Sequence, residues 1–187
     1  MINQKHLELS DKDIARCVHK IIRYMAQENW RPDYIVGITR GGLVPATMLS
    51  HYLDVPLHTL NVSLRDNSIG PESNLWMAED AFGYIPAEER TEDSGMSDPQ
   101  RRSNILIVDD INDSGATLEW IVKDWASGCL PQDEETWQKV WGYNVKFAVI
   151  VDNAGSAFDY INYAGMDINK VEDPCWVVFP WENWWEK

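Results

Sequence analysis

The sequence predicts an α/β fold: a doubly wound, mostly parallel sheet with helices on both faces. Short apolar runs rich in β-branched residues alternate along the chain with segments of helical periodicity. These runs are nearly continuous, without strict alternation of polar residues, which is typical of strands buried on both faces. With 187 residues, 44% of them hydrophobic, the chain is expected to form a single domain, 1–187.

The first predicted element is an amphipathic helix that begins after Ser10. Serine is a favourable N-cap residue, and Asp13 three positions later completes a variant of the capping box. Apolar residues then recur at the spacing of one helix face. They are Ile14, Cys17, Val18, Ile21, Ile22 and Met25.

The remaining elements alternate between strands and helices. Predicted strands occupy 34–38, 57–64, 104–108, 145–151 and 176–179, and predicted helices occupy 43–53 and 117–126. The runs YIVGI and NILIV are typical of buried strands. Pro45 is compatible with the helix that contains it, because proline is tolerated in a first helical turn.

Two stretches interrupt this alternation. Residues 65–103 hold three glycines and three prolines among acidic residues, and they are too long for an ordinary connection. They predict a flexible loop that closes over a site, although a surface insertion without function fits the composition equally well. Residues 127–142 predict a local insertion between a helix and the next strand.

The charge of the chain limits the kinds of ligand it binds. Sixteen basic and thirty acidic residues give a formal net charge of −14. Such a charge repels a phosphate backbone and argues against a nucleic-acid partner. It also opposes small anionic ligands, so a phosphate site requires local compensation by backbone amides, a helix N-terminus, an arginine or a metal ion.

The sequence offers no membrane segment and no cysteine framework. The N-terminus is polar, and no uncharged apolar stretch reaches the ~20 residues that span a bilayer, so a soluble, cytoplasmic protein is expected. Cys17, Cys129 and Cys175 are odd in number and widely spaced. This pattern argues against both a disulfide framework and a structural zinc site.

The most informative stretch is ILIVDDINDSGATL, residues 105–118. Its strand delivers Asp109 and Asp110 to the carboxyl edge of a parallel sheet, where ligands bind. A loop of small residues follows and leads into a helix, and backbone amides at a helix N-terminus bind anions. Paired carboxylates suit vicinal hydroxyls, directly or through Mg²⁺, so the stretch predicts a phosphorylated ribose as ligand.

Other kinds of loop fit this stretch less well. In an EF-hand register the twelfth position falls on Ile121, where a glutamate is required. The chain also lacks GxxxxGK[ST] and has no GxGxxG after a strand. An acidic turn that only caps a helix is the structural alternative, but it accounts for one aspartate and not for the pair.

Three motifs resemble those of type I phosphoribosyltransferases. ILIVDDINDSGATL resembles the family's binding motif for phosphoribosyl pyrophosphate (PRPP). YIVGITRGGLVPATMLSHYL, residues 34–53, resembles the pyrophosphate loop, especially that of the 6-oxopurine members. WVVFPWE, residues 176–182, resembles the C-terminal segment of the xanthine-guanine and hypoxanthine branch, and the whole resemblance covers about residues 10–182.

The resemblance implies how the ribose and its 5′-phosphate are bound. Asp109 and Asp110 would hold the ribose hydroxyls and Mg²⁺, the expected cofactor. Main-chain and hydroxyl groups of the following loop would bind the 5′-phosphate. That loop consists of Asp113, Ser114, Gly115, Ala116 and Thr117.

The resemblance also implies a pyrophosphate site at Arg40, Gly41 and Gly42. Glycines let the backbone approach closely, and an arginine offers bidentate contacts. The peptide between Thr39 and Arg40 is expected to be cis or otherwise strained. The structural alternative is a surface ion pair at Arg40 with a simple turn at the glycines.

The base is expected beside Trp176, Val177 and Asp113. By resemblance, Trp176 would stack on the base and main-chain groups of Val177 would read its edge, with residues 152–187 forming part of a base-binding hood built from both termini. Asp113 would lie near the purine N7 and relay a proton, which makes it, with Arg40, an expected catalytic residue. The alternatives are a core position for Trp176 and a structural cap for Asp113.

The implied activity is transfer of the 5-phosphoribosyl group from PRPP to guanine, xanthine or hypoxanthine in purine salvage. The 6-oxopurine members place a lysine just after the strand corresponding to 147–151, where it contacts the exocyclic oxygen, but this chain has Asp152 and Asn153 there. A different nucleobase is the alternative within the family, and a PRPP-sensing regulator is the alternative without catalysis. The expected partners are PRPP, a purine base and further copies of the chain in a dimer or tetramer.

Overall fold

A computed structural model describes residues 5–62, 74–92, 94–129, 134–182 and 184–186. The elements, in chain order, are β1 (Lys5–Glu8), α1 (Asp11–Gln27), β2 (Tyr34–Ile38), α2 (Leu43–Leu53), β3 (Leu57–Leu60), α3 (Leu75–Phe82), β4 (Ile105–Asn112), α4 (Ala116–Cys129), α5 (Glu134–Gln138), β5 (Val145–Asn153), β6 (Tyr163–Ile168) and β7 (Cys175–Val178). Short 3₁₀ helices lie at Ala87–Glu89, Pro99–Arg101 and Trp184–Glu186.

Five strands form a parallel sheet in the order β3-β2-β4-β5-β6. The chain leaves β2 toward β3 on one side, whereas β4 lies on the other side of β2. Strand order therefore reverses between β2 and β4, and a crevice opens at the carboxyl ends of these two strands. Ligands of open α/β sheets bind at such a point.

Helices cover both faces of the sheet, as predicted. Along β2 and β4, residues of alternate parity enter two separate cores because successive side chains point to opposite faces. Val36 and Ile107 pack in the core that includes α3 and α4, whereas Ile35 and Leu106 pack in the core that includes α1 and α2. The predicted doubly wound α/β fold is confirmed.

The first helix has the predicted boundary and the predicted buried face. Ser10 and Asp13 form a reciprocal capping box, in which the Asp13 N–H donates to Ser10 Oγ and the Ser10 N–H donates to Asp13 Oδ2. All six predicted apolar positions of the helix are buried. The capping box thus marks the start of α1, and the apolar positions mark the face that packs in the core.

A second, two-stranded sheet joins the two ends of the chain. Strand β1 pairs in parallel with β7, with His6 opposite Trp176 and Leu7 opposite Val177. This sheet forms the expected hood from N-terminal and C-terminal segments. Strand β1 was not predicted, because only Leu7 of its four residues is even partly buried and its polar sequence carries no strand pattern.

The prediction of one continuous loop over 65–103 is wrong at residues 75–82. Helix α3 lies within that range and buries Met77, Ala78, Ala81 and Phe82. The helix ends at Gly83, which has a positive φ of 70° and terminates it in a left-handed conformation. The first part of the predicted loop, 65–73, lies outside the described residues.

Other elements differ from their predicted limits. Strand β6 was missed, since its alternating exposure and its glycine, Gly165, give no apolar run. Strand β3 ends at Leu60, whereas β4 continues to Asn112 and so contains the acidic pair instead of ending before it. Residues 127–142 hold the end of α4 and the short helix α5, which fits the predicted insertion.

Three further expectations concern membrane spans, cysteines and oligomeric state. Among the described residues, no helix combines the length and apolar character needed to cross a bilayer. Cys17 is buried and Cys175 is partly buried, and both are free thiols. The expected dimer or tetramer stays a prediction.

Replacing Phe82 tests the packing of α3. Its side chain is fully buried, and its ring centroid lies 5.4 Å from that of Trp137. Phe82→Ala is expected to lower the free energy of unfolding, measured with urea, by ~3–5 kcal/mol because it leaves a cavity in the core. Tyr52→Ala removes an aromatic ring that is 62% exposed and should change stability by ~0.5 kcal/mol or less. Equally small changes in the free energy of unfolding for Phe82→Ala and Tyr52→Ala would mean that residues 75–82 are loosely packed.

Candidate active site

A cavity of about 1550 Å³ opens at the carboxyl ends of β2 and β4, under the hood. Nearly all the predicted site residues line it. They are Arg40, Gly41, Asp109, Asp110, Asp113, Ser114, Gly115, Ala116, Thr117, Trp176 and Val177. Gly42 does not line the cavity but packs beneath it. The structure thus brings together three motifs that lie far apart in the sequence.

Asp109 and Asp110 occupy the last part of β4. The Asp110 N–H donates to Asp109 Oδ1 at 2.9 Å, which fixes the first carboxylate. Burial, followed by the neighbouring charge of Asp110, raises the pKa of Asp109 well above its ordinary value. Burial also raises the pKa of Asp110. Two carboxylates held together in this way favour a divalent cation or hydroxyl donors beside them.

The turn after β2 packs directly against the end of β4. A Cβ on Gly41 would lie 1.8 Å from Asp110 Oδ2, and a Cβ on Gly42 would lie 2.4 Å from the Val108 carbonyl oxygen. Neither position therefore accepts a side chain without displacing the strand. The absence of side chains lets this turn lie beside the carboxylate pair.

Arg40 lies at the rim of the cavity. The peptide bond between Thr39 and Arg40 is cis, as the resemblance implied. The side chain of Arg40 is exposed, and no ion pair joins it to any carboxylate of the described part of the chain. The alternative of a surface ion pair at Arg40 thus finds no support among these residues. Its guanidinium is available to an anion in the cavity.

The loop after β4 is built around Gly115 and the first turn of α4. Gly115 has a φ of 85°, and a Cβ there would lie 2.6 Å from Phe158 Cβ, so the position requires glycine. The Ala157 N–H donates to the Ser114 carbonyl oxygen at 3.2 Å. The loop is thereby held at the N-terminus of a 14-residue helix, where free amides attract negative charge.

A buried polar network supports this loop from below. Asn112, 1% exposed, donates through Nδ2 to Asp152 Oδ1 and to the Phe158 carbonyl oxygen, both at 2.8 Å. Its Oδ1 accepts a hydrogen bond from Ser156 Oγ at 2.8 Å. These hydrogen bonds join β4 to the end of β5 and to the segment that follows it. The loop is therefore fixed between two neighbouring strands.

The hood side of the cavity is aromatic. Trp176 lies on β7 and is 43% exposed, so it is not a core residue. Trp181 also lines the cavity and stacks on Phe179, with ring centroids 4.9 Å apart and planes 13° apart. An exposed indole that lines the same cavity as the loop after β4 suits a flat heterocycle.

Lys170 is a cavity residue that the sequence analysis missed. Its Nζ lies 2.9 Å from Asp113 Oδ1, and its side chain is only 17% exposed. Asn153 was missed as well: its Nδ2 donates to the Asp113 carbonyl oxygen at 2.9 Å, and its Oδ1 accepts from the Lys170 N–H at 3.0 Å. Neither residue belongs to a recognisable motif, because the contacts join segments distant in the sequence.

Comparison with known proteins identifies the family. The model of the phosphoribosyl transferase domain matches residues 5–182. A hypoxanthine-guanine phosphoribosyltransferase of Schizosaccharomyces pombe is 25% identical over 88% of this chain and 85% of its own length. A xanthine-guanine phosphoribosyltransferase of Cereibacter sphaeroides is 39% identical over 49% of this chain and 46% of its own length.

Solved structures share the fold. A purine phosphoribosyltransferase from Pyrococcus horikoshii superposes with a TM-score of 0.60 at 23% identity, covering 96% of this chain and 95% of that one. A xanthine-guanine-hypoxanthine phosphoribosyltransferase from Helicobacter pylori gives a TM-score of 0.62 at 18% identity, covering 98% and 97%. At these identities the likeness concerns the fold alone. The match over residues 5–182 carries the assignment further: the chain belongs to the phosphoribosyl transferase family and is a pentosyltransferase.

Proposed function

We propose that the protein transfers the 5-phosphoribosyl group of PRPP to a 6-oxopurine base, releasing pyrophosphate and forming a nucleoside monophosphate. One observation carries the proposal: a carboxylate pair, an anion-binding loop, an arginine-glycine-glycine turn and an exposed tryptophan surround a single cavity. The names of its relatives, hypoxanthine-guanine and xanthine-guanine phosphoribosyltransferase, support the choice of base and a role in purine salvage.

The loop from Asp113 to Thr117 would bind the 5′-phosphate. It has small side chains, it is held at the N-terminus of α4, and it faces the cavity. Backbone amides and the hydroxyls of Ser114 and Thr117 would donate to the phosphate oxygens. The helix dipole would add a favourable potential in a chain whose net charge opposes anions.

Asp109 and Asp110 fit a site for Mg²⁺ and ribose hydroxyls. Mg²⁺ is commonly bound by one or two carboxylates together with substrate phosphates, and these two carboxylates are adjacent, partly buried and line the cavity. When bound, Mg²⁺ would supply positive charge that stabilises the departing pyrophosphate. The carboxylates themselves would accept hydrogen bonds from the 2′ and 3′ hydroxyls and orient C1′ toward the base.

Arg40 would bind the pyrophosphate group from the opposite side. Arg40 lines the cavity next to Gly41, and the close packing of the turn on β4 fixes the backbone beside the carboxylates. Bidentate hydrogen bonds from guanidinium to phosphate are strong and directional. Arg40 would therefore stabilise the charge that develops on the leaving group.

Trp176, Val177 and Asp113 would position and activate the base. The base would stack on the indole and hydrogen-bond to the main chain of Val177. A lone pair of a ring nitrogen forms the new bond to C1′ as the bond from C1′ to the pyrophosphate oxygen breaks. Asp113 would accept the proton that the base loses at N7, which keeps the base uncharged as it becomes bonded to the ribose.

Transfer to a different nucleobase is the second candidate function. Asp152 and Asn153, the last two residues of β5, occupy the positions where the 6-oxopurine members were expected to have a lysine. Asp152 accepts a hydrogen bond from Asn112, and Asn153 holds the backbone of Asp113, so both are engaged in structural contacts. The identity of the base therefore has to be measured directly.

A screen of pyrophosphate release tests the proposed function. The protein is incubated with Mg²⁺, PRPP and one base at a time: guanine, xanthine, hypoxanthine, adenine, orotate or uracil. We expect at least one 6-oxopurine to be used with a kcat/KM about 10²-fold or more above that for adenine, because sites built to hydrogen-bond a substrate group reject analogues that lack it. A preference for another base would select the second candidate, and release with none would indicate a sensor.

Replacing both carboxylates by amides tests whether they bind PRPP or only contribute to the stability of the fold. Asp109→Asn with Asp110→Asn is expected to abolish PRPP binding in calorimetry, with or without Mg²⁺. The ligand-free variant should melt at or above the temperature of the wild type, because two neutral amides replace adjacent, desolvated carboxylates. Tight, metal-independent binding of PRPP to this variant would contradict the assigned role of the pair.

Two single variants should fail in different ways. Trp176→Ala is expected to raise the KM for the base by ~10–100-fold through loss of stacking, with PRPP affinity nearly unchanged. Asp113→Asn should instead lower kcat by ~10²-fold or more with a small change in base KM. The control is Trp76→Ala, since Trp76 on α3 is equally exposed, at 43%, but lies outside the cavity. A wild-type rate for Asp113→Asn would leave that carboxylate as a structural group.

A further inference from the structure

Lys170 is an unusual feature of the cavity. It follows β6, in the turn that leads to β7, and within the described residues it is the lysine that lines the cavity. Its Nζ lies 2.9 Å from Asp113 Oδ1 and 6.0 Å from the centroid of the Trp176 ring. It therefore lies between the group proposed to accept a base proton and the surface proposed to stack on the base.

We propose that Lys170 determines specificity by donating a hydrogen bond to a carbonyl oxygen of the base, and that Asn153 positions both Lys170 and Asp113 for this recognition. The inference rests on the proposed function and names the substrate class more closely. Lysine offers only donors and an ionised aspartate offers only acceptors. Together the two side chains complement a base edge that has a carbonyl oxygen next to a ring N–H.

A 6-oxopurine presents this edge, because O6 and N7 lie side by side on it. In the tautomer with a proton on N7, the base offers the donor that Asp113 requires and the acceptor that Lys170 requires. Adenine offers an amino donor at the same position, which would face the donors of Lys170 without a hydrogen bond. The pair thus favours oxo bases over amino bases through an unpaired polar group in a partly buried site.

The backbone contacts of Asn153 explain how the two side chains come together. Its side-chain amide is 6% exposed and uses both ends: Nδ2 donates to the Asp113 carbonyl oxygen, and Oδ1 accepts from the N–H groups of Lys170 and Gly155. One residue at the end of β5 therefore fixes the loop after β4 and the turn after β6. A shift of either segment would separate Lys170 from Asp113.

Lys146, which lies on β5, has a different environment from Lys170. Its Nζ is bonded to Glu28 and lies 3.0 Å from Tyr163 Oη. It also lies 5.1 Å from the centroid of the Trp30 ring, and it does not line the cavity. Lys146 is thus held in an ion pair beside α1, whereas Lys170 faces the proposed base site.

The test compares hypoxanthine with purine, which has hydrogen in place of the 6-oxygen. The ratio of kcat/KM for the two bases is measured in the wild type and in Lys170→Met. We expect this preference for hypoxanthine to fall by ~10–100-fold in the variant, the range of one hydrogen bond to a charged group. The KM for PRPP should change by no more than about twofold, because Lys170 is not among the groups proposed to bind it.

Parallel variants separate recognition from stability. Lys139→Met is the matched control, because Lys139 forms an exposed ion pair with Glu135 at 2.6 Å away from the cavity; its preference should equal that of the wild type. Lys170→Gln keeps a neutral donor and should lower the preference by roughly fivefold, since charge-assisted hydrogen bonds are about twice as strong as neutral ones. This variant is informative even when Lys170→Met folds poorly.

Asn153→Ala tests the positioning role. It should reduce both kcat and the preference for hypoxanthine over purine in folded protein, because Asp113 and Lys170 lose their common support. A lower melting temperature with unchanged kcat and preference would assign Asn153 to stability alone and overturn its positioning role.

The outcomes distinguish this inference from the proposed function. If the wild type transfers to no 6-oxopurine, the proposed function fails and this inference fails with it. If the wild type uses hypoxanthine but Lys170→Met and Lys170→Gln slow both bases by the same factor, the inference alone fails, and Lys170 only stabilises the loop through its ion pair with Asp113.

Discussion

The close contact between the turn after β2 and the end of β4 places Arg40, Gly41 and Gly42 beside the carboxylate pair of the candidate site. A Cβ on Gly41 would overlap the Asp110 carboxylate, and a Cβ on Gly42 would overlap the backbone of β4. The two strands are neighbours at the point where the order of the sheet reverses, so their loops emerge side by side. The glycines bring a guanidinium and two carboxylates to the rim of one cavity, and the remaining loops assemble around that arrangement.

This arrangement places positive potential where the chain's net negative charge and its partly buried carboxylates would otherwise oppose an anionic ligand. A net charge of −14 opposes an anionic ligand, and burial makes the ionised carboxylates of β4 costly. Arg40 and the N-terminus of α4 provide local positive potential at the cavity, which offsets both effects. An anion that arrives with a divalent cation suits such a site better than either ion alone, because each neutralises charge that the other leaves exposed.

The sequence predicted those parts of the fold whose signals are local. The capping box and the apolar face of α1, and the apolar strand of β4 with its acidic end, appear in the structure at or near the predicted positions. Helix α3 was missed because glycines and prolines on both sides of it suggested a loop, while its helical pattern spans only eight residues. Lys170 was missed for a different reason: its contacts with Asp113 and Trp176 exist only in the folded chain.

Asn153 lies where a lysine was expected, and its side chain makes hydrogen bonds that a lysine could not make. The Oδ1 of Asn153 accepts hydrogen bonds from two backbone N–H groups, while its Nδ2 donates to a third backbone group. A lysine at 153 has no acceptor and would leave the N–H groups of Gly155 and Lys170 without this partner. The turn that carries Lys170 into the cavity therefore depends on a residue other than lysine at the end of β5. Under the proposed function, a lysine at 153 and Lys170 in its present position are therefore alternative ways of placing a cation beside the base.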